Sequence, residues 1–215
     1  LRILNRFNIG GPTHNATFLT KYLHPNYQTK LIAGKKLDSE ASSEFMLKDY
    51  EIDFKIIEDM SRSINPVKDL KSFFKIKKII KEFQPDIVHT HASKSGALGR
   101  LAAITSKVPI IVHTFHGHVF HSYFGNLKTK FYIFLERYLA KKSSAIIAIS
   151  NLQRKELIHE FKICPESKTY TIQLGFDLDK FQEDSLNKRN SFRNEFNLEL
   201  DDIAIGIIGR LTLIK

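Results

Sequence analysis

The stretch DIVHTHASKSGALGRLAAITSKVPIIVHTFHG, residues 86–117, decides the fold. Its β-branched pair Ile87-Val88 leads into Ser95 to Ser106, where apolar residues return at helical spacing, and Ile110 to Val112 is again short and β-branched. Two strands joined through a helix run parallel, because a crossover of that length brings the chain back to the same end of the sheet. The unit recurs on either side. Ile3-Leu4 precedes Thr13 to Leu23, Thr29 to Ala33 follows, and Phe54 to Ile57 precedes Pro66 to Phe83. Beyond the stretch come Asn126 to Lys142, Ala145 to Ile149 and Leu152 to Phe161. This alternation predicts an α/β fold, a Rossmann-like parallel sheet with helices on both faces.

Toward the C-terminal end the pattern changes. Thr169 to Ile172 reads as a strand, Ser185 to Phe196 as a charged helix, and Asp201-Asp202 introduces the apolar run Ile203 to Ile208. That run is followed by Gly209-Arg210 and has no helix behind it, so it is expected to open a second domain that is cut short. The expected organisation is an N-terminal domain over 1–182, a linker over 183–202, and the first strand and phosphate-binding loop of a second domain over 203–215. The start at Leu1 without a Met leads us to expect a residue or two ahead of it.

Of 215 residues, 42% are hydrophobic and 26% charged, a balance that admits an enzyme or a binding module alike. The single cysteine, Cys164, can form neither an internal disulfide nor a cysteine-based zinc site, so a packing role in a reducing cytoplasm is expected. No apolar run approaches the roughly 20 residues that span a bilayer, and no secretory signal is legible. The formal charge of +10 favours polyanionic partners: nucleic acid, anionic lipid or phosphorylated substrates. Part of it has an address. Lys68, Lys71, Lys75, Lys78 and Lys81 form one stripe of the Pro66 to Phe83 helix, which reads either as a solvated face or as one turned to a membrane surface or a phosphate. No recognised nucleic-acid motif accompanies these lysines, and nucleic acid is not expected as a partner.

After the first strand comes Asn8-Ile-Gly-Gly-Pro-Thr13. Gly10 and Gly11 allow a tight turn and close approach of backbone to a ligand, Pro12 suits a first helical turn, and Thr13 is expected to cap it. Plain turn geometry and contact of the helix end with a phosphate both fit. Three spaced glycines are missing, which disfavours a nicotinamide or flavin cofactor.

Six of the nine histidines, His89, His91, His113, His116, His118 and His121, fall at the ends of two predicted strands. In open parallel sheets ligands bind outside those ends, so substrate contact and structural hydrogen bonding both stand as readings. Zinc is disfavoured, since no acidic residue or cysteine joins them. The run His116-Gly-His-Val-Phe-His-Ser-Tyr123 mixes aromatic bodies with polar tips, suited to stacking on a sugar or to capping a core.

With these residues the chain resembles the retaining glycosyltransferases of family 4, whose two facing Rossmann-like domains make the GT-B fold. The resemblance rests on Gly10-Gly11, on Asp86-Ile-Val-His-Thr-His91 with Gly96 and Gly99-Arg100, and on Val112-His-Thr-Phe-His-Gly117. Ala148-Ile-Ser150, Leu174-Gly-Phe-Asp177 with Phe181, and Gly209-Arg-Leu211 to Lys215 complete it in order. It implies that Gly10 and Gly11 lie beside the donor diphosphate, that Arg210 and Lys215 grip the donor phosphates, and that His116 is catalytic, reaching the donor sugar. His89, His91, Gly117, His118, His121 and Tyr123 would line the cleft or the acceptor side. It further implies a nucleotide diphosphate sugar as donor, a glycan or polyprenyl-diphosphate-linked acceptor, and neither cofactor nor metal. Work at the inner face of the cytoplasmic membrane would follow. The family's acidic pair lies in a second domain beyond Lys215, so the chain alone is expected to be inactive. Leu174-Gly-Phe-Asp177 departs from the Asn-Gly-Val-Asp of many members. Epimerases of nucleotide sugars and phosphorylases share the architecture and remain the alternative.

Overall fold

A computed structural model of the chain describes residues 1–61, 63–117, 120 and 126–207. Two compact units divide at Gly175. The first, Leu1–Gly175, is built on a seven-stranded sheet of order β3-β2-β1-β4-β5-β6-β7, parallel throughout. The strands are β1 (Arg2–Arg6), β2 (Leu31–Gly34), β3 (Phe54–Ile57), β4 (Ile87–His91), β5 (Ile110–Phe115), β6 (Ala145–Ala148) and β7 (Thr169–Thr171). Between them run α1 (Gly11–Leu23), α2 (Glu44–Asp49), α3 (Pro66–Phe83), α4 (Ser93–Thr105), α5 (Asn126–Lys142) and α6 (Asn151–Lys155), the last continuing into a π-helical turn over Glu156–Glu160.

Local chemistry sets these boundaries. The Asn65 side chain accepts from the Lys68 amide at 3.0 Å and Pro66 fills the first turn, so α3 starts sharply. It stops at Gln84, whose left-handed backbone returns an N–H to the Ile80 carbonyl. Ser150 caps α6 in the same manner, accepting from the Gln153 amide. The core has one cluster under α3 and α4, with Ile3, Ile32, Ile76, Val88 and Ala102 at its heart. A second lies against α1 and α2 around Leu4, Leu31 and Leu47. A third joins α5, β6 and the π-helical turn through Ala140, Ile146 and Leu157. Burying such side chains is worth about 1.5–3 kcal/mol each, which is what holds the helices on the sheet.

The second unit, Phe176–Lys215, carries α7 (Asp179–Gln182) and α8 (Ser185–Glu195). The Arg193 guanidinium donates to the Asp202 carbonyl and Leu198 N–H to the Arg193 carbonyl, which folds the end of α8 onto the next turn. The strand expected from Ile203 onward is not formed over 203–207. Ile203, Ile205 and Ile207 are 89%, 90% and 98% exposed, and a strand exists only where a neighbour completes its hydrogen bonds.

Candidate active site

β1 and β4 are sheet neighbours although β2 and β3 separate them in the chain, so the order reverses between them. That reversal opens a crevice beyond the carboxyl ends of the strands. Two helices point their N-termini from it. α1 begins at Gly11, behind the extended Gly10 (φ 168, ψ 162), with no side-chain cap and no acidic residue in its first turn. Thr13 does not cap it. The helix starts two residues earlier than expected, which puts Thr13 inside the first turn, its hydroxyl facing the Arg6 carbonyl at 3.4 Å. A side-chain atom added to Gly11 would meet nothing within 4 Å, and one on Gly10 nothing nearer than 3.9 Å. The domain's own packing therefore makes no demand for glycine at this bend, and the space before the helix end stays open for a ligand.

α4 begins in a stranger way. Ala92 precedes it at φ 64 and ψ 164, a backbone region close to exclusive to glycine, and again neither a side-chain cap nor an acidic first turn is present. Lys94 in that turn is tied to Asp69 of α3 at 2.5 Å and to the Ser63 carbonyl.

Between the two helix ends stand the histidines. Alternation along a strand turns His89 and His91 to one face of β4 and Thr90 to the other. His89 Nε2 meets the Thr114 hydroxyl at 2.8 Å, and His91 Nδ1 meets His116 Nε2 at 2.9 Å. The three rings form a pile, His89 on His91 at 4.3 Å between centroids and His91 on His116 at 5.1 Å. His91 Nε2 and His116 Nδ1 are buried and have no hydrogen-bond partner among the described residues. His113 lies on the opposite face, bonded to Thr90 through Nδ1 at 2.8 Å and pressed on Gly96, where a side-chain carbon would come within 2.5 Å of its ring. Gly96 is thus required by contact, and Gly117 by conformation, with φ at +134.

Every imidazole of this group is held neutral. Burial, helped by the Arg2 guanidinium, lowers His89 to about 3, and burial lowers His116 to about 4. Burial drives His91 and His113 well below the usual histidine value, reinforced by His89 at the first and by Arg100 at the second. Such a set can donate and accept hydrogen bonds at neutral pH without bringing in charge. Among the described residues no cluster of histidine, cysteine and carboxylate is arranged to hold a metal.

The structure thus gathers His89, His91 and His116 with Gly117 at one end of the sheet, and places Gly10 and Gly11 on the neighbouring β1 loop. His118, His121, Tyr123, Arg210 and Lys215 lie outside the described residues. Thr90, Thr114 and the Ala92 entry to α4 were missed from sequence. The threonines were discoverable from the alternation in His-Thr-His and His-Thr-Phe-His, whereas an alanine gives no sign of a glycine-like backbone. A separate open groove of about 600 Å³, bordered by Leu1, Tyr27 and Pro85, lies along the opposite, N-terminal ends of β1 and β4 and touches the histidines only through His89.

Comparison with known proteins converges on one group. The model of Glycosyltransferase Family 4 matches residues 10–180. A UDP-Gal:alpha-D-GlcNAc-diphosphoundecaprenol alpha-1,3-galactosyltransferase of Escherichia coli is 36% identical over 152 residues, covering 71% of this chain and 39% of the relative. The capsular polysaccharide biosynthesis glycosyltransferase CapM of Staphylococcus aureus is 27% identical over 190 residues, 86% of this chain and 49% of its own. The chain spans about half the length, or less, of these relatives. Among solved structures, a glycosyltransferase from Rickettsia africae ESF-5 superposes with a TM-score of 0.66 at 22% identity over 93% of this chain and 50% of that one. A UDP-GlcNAc 2-epimerase from Neisseria meningitidis reaches 0.57 at 15% identity over 94% and 55%. At such identities the likeness shows the fold alone.

Proposed function

The chain belongs to glycosyltransferase family 4, and from that membership we propose that the whole protein transfers a hexose or N-acetylhexosamine from a nucleotide diphosphate sugar to a glycan or lipid-linked acceptor, with retention of configuration, in surface-polysaccharide assembly. The family match through 10–180 carries the reading. The relative at 36% identity, named for a diphosphoundecaprenol-linked acceptor, supports the lipid-linked choice.

In this reading the uncapped N-terminus of α1 and the open space before Gly10 and Gly11 receive the donor diphosphate, since orphan amides and the helix dipole attract anions. Arg210 and Lys215 neutralise the charge that grows on the leaving phosphates. The neutral His116 hydrogen-bonds the donor sugar, and the departing phosphate takes the acceptor proton, so no protein base is needed. The two cations stand where another enzyme would use a metal. His89, Gly117, His118, His121 and Tyr123 line the acceptor side, whereas His91, expected there, is wholly buried and backs His116 instead. Residues 183–202 connect to a donor-binding domain that 203–215 enters, and the chain alone does not turn over. A polyprenyl-linked acceptor places the protein at the cytoplasmic leaflet, where the α3 lysines face anionic lipid; of these, Lys75 is paired with Asp59 and Lys78 with Glu82. No helix among the described residues is long and apolar enough to cross a membrane.

The test is direct. The whole protein is given uridine diphosphate sugars and a polyprenyl-diphosphate-linked GlcNAc, and product configuration is read by NMR. We expect an α-linked product, and a loss of about 10²–10³ in kcat for Arg210→Ala. Conversion of UDP-GlcNAc to its 2-epimer without transfer would favour the epimerase alternative and refute this one.

A further inference from the structure

We infer that the outer face of α5 docks on an anionic lipid bilayer. The inference deepens the lipid-linked-acceptor reading and rests on it for choosing a bilayer over a protein partner.

A helix on a sheet needs one apolar face, and α5 has two. The inward face carries Leu139 and Ala140, both buried. The outward one carries Leu127, Phe131, Phe134 and Tyr138, exposed by 85%, 61%, 70% and 45%. Their spacing of four, three and four residues puts them in one stripe about 16 Å long. No described residue covers it, and leaving such side chains in water forfeits about 1.5–3 kcal/mol for each that could be buried.

The charge around the stripe identifies what covers it. Lys130 and Lys141 flank it on one side, Lys128 and Lys142 on the other, and all four are exposed. The lone acid of α5, Glu136, turns inward to Arg100 at 2.6 Å. An apolar stripe edged on both sides by cations, with no acid near it, is the pattern of a helix lying in the headgroup layer, rings in the acyl boundary and lysines on lipid phosphates. Tyr138 suits that depth, being apolar in its ring and polar at its tip. α3 shows a weaker form: Val67, Leu70 and Phe74 are exposed, but Asp59 and Glu82 pair with two of its lysines.

Because the chain contains no tryptophan, Phe134→Trp provides a single fluorescent reporter in the stripe. With phosphatidylcholine vesicles containing phosphatidylglycerol, its emission should shift to the blue and be quenched by brominated acyl chains, and the response should weaken with salt. Phosphatidylcholine alone should give little response. Lys130→Ala/Lys141→Ala should weaken vesicle binding roughly thirtyfold, and Phe131→Glu/Phe134→Glu, at exposed sites that do not threaten folding, should abolish it. Lys71→Glu/Lys78→Glu on α3, the weaker surface, should reduce vesicle binding less than the α5 lysine variant does and leave the blue shift of the bound protein in place. An unshifted, unquenched reporter overturns the inference, as does vesicle binding that the α3 variant removes and the α5 variant keeps. A concentration-dependent dimer broken by Phe134→Glu overturns it too, by assigning the stripe to a second copy. Transfer by the whole protein to a polyprenyl-diphosphate-linked GlcNAc held in detergent micelles separates the two readings: its absence alongside intact vesicle binding defeats the function and leaves the docking standing.

Discussion

Between His91 and His116 one hydrogen bond of 2.9 Å must have a donor and an acceptor, and burial decides which is which. Each ring has its other nitrogen buried and unpartnered, but His91 is wholly buried while His116 is only half-buried, so an orphan N–H costs less on His116 than on His91. A buried N–H without an acceptor is rarer and costlier than a bare ring nitrogen, so the proton belongs on His91 Nδ1 and points at His116 Nε2. His116 then carries its own proton on Nδ1, which is buried and meets a sugar hydroxyl only when the ring turns toward the crevice. Long-range ¹H–¹⁵N spectra should show His116 as the Nδ1–H tautomer. His91→Asn, whose amide nitrogen sits near the lost Nδ1, should preserve that state, and His91→Ala should release His116 to the more common Nε2–H form. An Nε2–H signal from His116 in the unaltered protein would contradict the assignment. The histidines' location at strand ends could be read from sequence, but not this pairing, which depends on His116 lying two residues past Thr114, the register partner of His91.

α4 is fastened to α5 by Arg100 and Glu136, 2.6 Å apart and both buried, with Arg100 Nε also donating to the Gly96 carbonyl. Removing one partner strands a charge in the core, which is far more damaging than removing both. Arg100→Met should therefore lose about 3–5 kcal/mol in urea unfolding, and Arg100→Met/Glu136→Leu should recover most of it. A single variant as stable as the parent would show that water reaches Glu136. The helices themselves differ in how openly the sequence declares them. α3 is legible to the residue because Asn65, Pro66 and an apolar period agree. α2 is six residues long, too short for a period to register, and is known only by the burial of Met46 and Leu47. The apolar run from Ile203 carries the alternation of a strand but forms none over 203–207, because pairing needs a neighbour the described residues do not offer.

For the molecule as a whole, the neutral histidines make stability depend on pH. Their folded values lie below the unfolded value near 6.5, so the unfolded chain binds the extra protons. Their contribution is complete above pH 6.5 and is lost as pH falls toward about 4, the folded value of His116, at up to about 1.4 kcal/mol per pH unit for each histidine. The melting temperature should fall steeply between pH 6.5 and 4.5, and less steeply in His116→Asn; a flat profile would mean the imidazoles are already charged. The sheet order itself was foreseeable in class but not in detail, since no residue of β1 announces β4 as its neighbour. One detail matters to any ligand that enters. Ala92, at the entry to α4, holds a conformation costing about 1–3 kcal/mol. That single strained turn fixes the direction in which the amides at the tip of α4 point, so a substitution that relaxes Ala92 would re-aim every donor an anion could meet there.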